Sequence, residues 1–200
     1  KKIARGAADA SLTKVPGVKA IVALAPAGGG DATIWGKEGL AQITAPLLLI
    51  AGDQDPTVGY EKAAKSFFAQ TVNSDRYLLT LKQAGHAIGL NPAPADMRRT
   101  LWDIDWFEDP IWRKDRITAI NLHFITAFLD VHLRGASDKQ AYLDVPVEDS
   151  DAGTWKAPSG TLWGAYSPGG PDVTLWKGFQ QRRARGMTLQ HLPAAISQKA

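Results

Sequence analysis

The stretch Pro46-Leu-Leu-Leu-Ile-Ala-Gly-Asp-Gln-Asp-Pro-Thr-Val58 decides how this chain is read. Leu47 to Ala51 is apolar without alternation, the habit of a strand buried on both faces of a parallel sheet. Gly52-Asp53-Gln54-Asp55-Pro56 then supplies the turn chemistry that stops it. Upstream, Val18-Lys-Ala-Ile-Val-Ala-Leu-Ala25 reads as a second strand buried on both faces, closed by Pro26 and the glycines Gly28–Gly30. Downstream, Arg76-Tyr-Leu-Leu-Thr-Leu-Lys82 reads as a third, followed by Gln83-Ala84-Gly85-His86. Between the last two, Tyr60, Ala63, Ala64, Phe67 and Phe68 fall at helical spacing within Gly59–Val72, with Glu61, Lys62 and Lys65 opposite. Strand, helix and strand in that order make the two strands parallel neighbours.

A long helix follows. Asp109 is placed to cap it, with Pro110 at its first position and Gly135 as its terminator. Its apolar stripe is Ile117, Ile120, Phe124, Phe128 and Val131, so one side should lie on the sheet. From Ala136 the texture changes to short pieces punctuated by Gly, Pro, Ser and Asp, carrying Trp155, Trp163, Tyr166 and Trp176. The expected organisation is an α/β part over 1–135 and an irregular, aromatic-rich C-terminal extension over 136–200 that packs on it, with one short helix around Gln180.

Composition narrows the function classes. The 200 residues are 44 % hydrophobic and 22 % charged, a globular profile. A net charge of +3 points to no nucleic-acid partner. No run approaches the roughly 18 uncharged apolar residues of a membrane helix, so a soluble chain without a membrane span is expected. With no cysteine, disulfides, thiolate metal sites and a cysteine nucleophile are excluded. His123, His132 and His191 show no metal-ligand spacing, so no metal is expected. Nothing in Lys1–Leu12 resembles a signal peptide. Localisation and oligomeric state stay open.

Two ionisable residues stand where parallel sheets put their chemistry, in turns leaving strand C-termini. Asp55 lies three residues past Gly52, and His86 follows the third strand. One crossover separates them, and adjacent parallel strands would bring the two turns together. An acid that orients an imidazole needs that closeness. Asp53 is the rival for the acid; Asp55 is favoured because it lies further into the turn.

Val18–Ala27 (VKAIVALAPA), Ala45–Val58 (APLLLIAGDQDPTV) and Gln83–Gly89 (QAGHAIG) together resemble the last three strands of an α/β-hydrolase. The likeness is to dienelactone-hydrolase-like and platelet-activating-factor-acetylhydrolase-like esterases, and Trp106–Arg116 (WFEDPIWRKDR) and Trp176–Arg182 (WKGFQQR) resemble the C-terminal parts of the former. The resemblance implies a doubly wound parallel sheet and a serine-dependent hydrolysis of a small-molecule carboxylic ester without a cofactor. Asp55 would be the triad acid and His86 the general base. The family order of nucleophile, acid and histidine puts Gly-x-Ser-x-Gly upstream of Asp55. Ser11 is the one serine there and has no flanking glycines, and Gly29-Gly30-Asp31-Ala32-Thr33 is loop sequence rather than an elbow. The expectation is therefore the C-terminal part of a hydrolase that holds acid and histidine without the nucleophile, inactive alone, with Lys1–Lys14 as the tail of the helix after the serine.

Two other classes compete. Asp53-Gln-Asp55-Pro-Thr57 also fits the Asp-x-Asp-x-Thr pattern of haloacid-dehalogenase-type phosphatases, with Asp53 as nucleophile, Asp55 as acid/base and Mg²⁺ as cofactor. That pattern needs a later acidic pair after an apolar strand, which Asp103-Ile104-Asp105 lacks, and it leaves His86 without a role. A non-catalytic binding module would use Trp155, Trp163, Tyr166 and Trp176 for stacking and Gln180–Arg185 for phosphate groups. Trp35, between the first two strands, is the expected aromatic contact to substrate.

Overall fold

The computed structural model describes residues 15–29, 34–101, 104, 106–155, 173–180 and 183–195. Its centre is a four-stranded open sheet with strands in chain order: β1 (Ile21–Leu24), β2 (Leu47–Gly52), β3 (Arg76–Leu81) and β4 (Met187–Leu192). The first three are mutually parallel, in a register that pairs Leu24 with Ile50 and Ile50 with Leu79. β4 runs antiparallel beside β3.

Both β2 and β3 are buried along their whole length, as the unbroken apolar run of β2 and the largely apolar β3 require, with Arg76 and Thr80 the polar exceptions in β3. Alternate side chains feed two cores. Leu48, Ile50, Tyr77, Leu79 and Leu81 meet the long helix α3 (Lys114–Arg134) on one face. Leu47, Leu49, Ala51 and Leu78 meet the other layer. That layer contains α1 (Gly36–Leu40) and the crossover, a π-helical turn over Glu61–Lys65 running into α2 (Ser66–Gln70). Ala64, Phe67 and Phe68 are its buried contacts. The result is an α/β fold with a mostly parallel sheet covered on both faces.

Three expectations need correction. β1 is shorter than Val18–Ala25 and only half-buried, with Leu24 38 % exposed, because among the described residues β2 is its one neighbour. The long helix begins at Lys114, not at Asp109. Asp109 Oδ1 instead accepts from the backbone amides of Ile111 (2.9 Å) and Trp112 (2.7 Å), closing a separate turn. Arg113 is then extended (ψ 132°) and takes the position before the helix without a side-chain capping bond. Gly135 does terminate it, in the left-handed conformation (φ 65°) with its amide on Val131 O.

The segment 136–200 is also not irregular throughout. β4 is a strand of the sheet, and its alternation of buried Met187 and Leu189 with Thr188 and Gln190 carries the period of two. Trp176 is 1 % exposed and donates its indole N–H to Val147 O at 2.8 Å, so this part shares the α3 core. Lys82 Nζ ties it further, to Asp149 (2.6 Å) and Asp151 (2.8 Å). The short helix expected around Gln180 falls partly on 181–182, outside the described residues; the amides of Arg183 and Ala184 close a turn on Gln180 O.

Candidate active site

The site is assembled where β2 and β3 end. A Cβ added to Gly52 would collide with the carbonyl of Ala84, so glycine is what lets the two following turns touch. They are stitched by Gln54 N–H to Ala84 O (3.0 Å) and Asp53 N–H to Leu81 O (3.3 Å). Asp53 Oδ1 also accepts the amide of Gln83 at 2.6 Å. Gln83 sits at φ 62°, a left-handed position that costs a residue with a Cβ some strain and that this bond offsets.

Asp55 is buried, 6 % exposed. Its Oδ1 accepts the amides of Thr57 (2.8 Å) and Val58 (3.1 Å), which fixes the carboxylate in its own turn. Oδ2 is thereby aimed across to His86, whose Nδ1 stands 2.7 Å away. A carboxylate oxygen can only accept, so Nδ1 carries the proton, and in the neutral imidazole Nε2 holds the lone pair. The pair is one-sided in access: the Asp55 side chain is 1 % exposed and that of His86 is 37 % exposed. An imidazole held at one nitrogen and open at the other can take a proton from a hydroxyl and return it to a leaving group.

The sequence reading placed Asp55 and His86 in adjacent turns, and the structure brings them into hydrogen-bonding contact. Asp53, the other candidate for the acid, accepts the Gln83 amide instead. The two carboxylates, two residues apart, therefore point to different partners. Among the described residues no hydroxyl hydrogen-bonds His86, and no group of three or more His, Cys, Asp or Glu could hold a metal ion. Ser11 lies outside the described residues. Trp35 is 38 % exposed, just before α1, and its Nε1 lies against Gly28, past the C-terminal end of β1. Gly29 abuts the Lys62 carbonyl with no room for a Cβ, so this glycine serves close packing rather than a free loop. Of the aromatic residues proposed for a stacking face, Trp176 is core, and Trp163 and Tyr166 lie outside the described residues.

Three side chains around His86 were missed. His86 opens a 3₁₀ turn over His86–Gly89. The amide of Gly85 donates to Asp109 Oδ2 (2.7 Å), Lys114 Nζ donates to Ala87 O (2.7 Å), and Asn121 Nδ2 donates to Ile88 O (2.9 Å). Burial pushes the Lys114 ammonium below the ordinary lysine pKa, against the opposing pull of Glu108 and Asp109. One signal was available: Lys114 and Asn121 fall on the same helical stripe as Ile117 and Ile120, where a polar residue needs a buried partner. No family model matches this chain, and no curated protein matches it. No helix among the described residues is long and apolar enough to cross a membrane.

Proposed function

We propose that Asp55 and His86 are the acid and the general base of a serine-dependent carboxylic-ester hydrolase of the α/β-hydrolase type. The single observation that carries this reading is the 2.7 Å contact from Asp55 Oδ2 to His86 Nδ1, with the acid buried and the imidazole accessible. In this reading His86 Nε2 takes the proton of the attacking serine, and the alkoxide adds to the ester carbonyl. The imidazolium returns the proton to the departing alcohol. It then accepts a proton from water for deacylation, while Asp55 stabilises the cation without becoming protonated. The serine of this reading lies outside the described residues. Trp35 would border the substrate.

The phosphatase reading is disfavoured by the engagement of Asp55 with His86, because the carboxylate that reading uses as acid/base is committed to an imidazole that has no role in that chemistry. Hydrolysis of p-nitrophenyl acetate by the full-length gene product tests the proposal. His86→Ala is expected to lower kcat/KM on the order of 10³-fold or more and to abolish the acyl-enzyme burst. A normal burst in that variant sinks it.

A further inference from the structure

We propose that Asp109 is a positioning residue that sets the imidazole of His86 against Asp55, by holding the backbone immediately before the histidine. The inference rests on the acid–histidine reading and deepens it. His86 sits in a turn, not in the sheet, and a turn needs external partners to keep one geometry. Its peptide groups find them on a single segment. Asp109 takes the amide of Gly85, while Lys114 and Asn121 take the carbonyls of Ala87 and Ile88. The residue between these anchors is His86.

Asp109 is the member of the set with no equivalent substitute. It is 7 % exposed and uses both oxygens at once: Oδ2 on Gly85, Oδ1 on the amides of Ile111 and Trp112. All three partners are N–H donors, so both sides of the carboxylate must accept. Asparagine has one acceptor oxygen and presents an NH₂ on the other side, which would face either Gly85 or the 111–112 turn donor to donor. The Asp109 turn is itself anchored to β3 through the indole of Trp112, which donates to Lys82 O at 2.8 Å. The histidine turn, the end of β3 and the start of α3 are thereby held in one register, which the Gln54–Ala84 bond extends to the acid turn. A small displacement at Gly85 is transmitted to an Nδ1 contact whose tolerance is a few tenths of an ångström.

Proton NMR of the His86 ring gives a readout that a merely structural role would not move. The hydrogen-bonded Nδ1–H of the wild-type chain is expected as a downfield resonance with slowed exchange, absent in Asp55→Asn. In Asp109→Asn its exchange should quicken on the order of tenfold or more. The Leu78 and Leu79 amides of the central sheet should stay protected. Ile120→Val, a core change away from this clamp, should leave the resonance in place. If Asp109→Asn does not fold, Asp109→Glu, which keeps two acceptor oxygens but displaces them by one methylene, is read in the same way. A wild-type chain without the resonance overturns the acid–histidine contact, and with it the positioning role. A resonance unchanged in a folded Asp109→Asn chain, or one unchanged in Asp109→Glu where Asp109→Asn does not fold, overturns the positioning role alone.

Discussion

The Cα of Gly52 lies so close to the carbonyl of Ala84 that no side chain fits between them. This approach, more than either turn by itself, lets a carboxylate leaving β2 reach an imidazole following β3. Replacing Gly52 with alanine forces the two turns apart. We expect a loss of about 1–3 kcal/mol in urea unfolding, together with loss of the His86–Asp55 contact by NMR. A Gly52→Ala chain of wild-type stability with the contact intact would contradict the account.

Asp53 and Asp55 should separate cleanly in function. Asp55→Asn removes the oxygen that holds His86 and is expected to lower ester hydrolysis by the full-length gene product on the order of 10³–10⁴-fold. Asp53→Asn can still accept the Gln83 amide through its side-chain oxygen, so its effect on kcat should be minor. The phosphatase reading requires the opposite for Asp53 and a dependence on Mg²⁺. Steady-state rates on an ester and a phosphate monoester decide between them.

Acid sensitivity should come from two buried imidazoles. Burial lowers the pKa of His123, and the same cause lowers that of His132 despite Asp75 nearby. The unfolded chain then binds protons below about pH 6.5 that the folded chain does not. The stability of the neutral imidazoles is complete above that value and falls as pH drops through it towards the folded pKa values. Among the described residues His123 Nε2 is buried without a hydrogen-bond partner, and its ring packs edge-on against Phe124, Tyr142 and Phe179. His123→Phe should therefore be tolerated at pH 7.5 and should flatten the decline between pH 6.5 and 5, measured by urea unfolding across that range.

Trp176 tests whether the C-terminal segment belongs to the domain. The side chain meets Phe124 edge-on and has its indole satisfied by Val147. Trp176→Ala should cost about 3–5 kcal/mol in a single cooperative transition. A loss below 1 kcal/mol, or a separate early transition, would show that residues past 136 fold independently of the sheet.

Several features were legible in the chain. The unbroken apolar run at 47–51 and the largely apolar run at 77–81 announce central parallel strands, because only a strand covered on both faces can omit polar alternation. Phe67, Phe68 and the Ile117–Phe128 stripe place the covering helices by period alone. The two turns after β2 and β3 mark Asp55 and His86 before any contact is seen. Less legible was β4, whose six residues carry a correct but short alternation inside a segment dominated by Gly, Pro and Ser. The start of α3 was hidden as well, since Asp109 and Pro110 form a fair helix entry, and the turn Asp109 caps is broken at the extended Arg113 before the helix begins.

The sequence by itself determined the three parallel strands, the helices that cover them, the adjacency of β2 and β3 and the two turns that bear an acid and an imidazole, because these follow from local periodicity and crossover topology. The tertiary structure decided which aspartate faces His86, since Asp53 and Asp55 differ only in what stands across the turn from them. It also decided that Asp109, Lys114 and Asn121 hold the histidine's backbone. Those bonds join residues 24 to 33 positions apart, and a hydrogen bond across that separation leaves no local pattern to read.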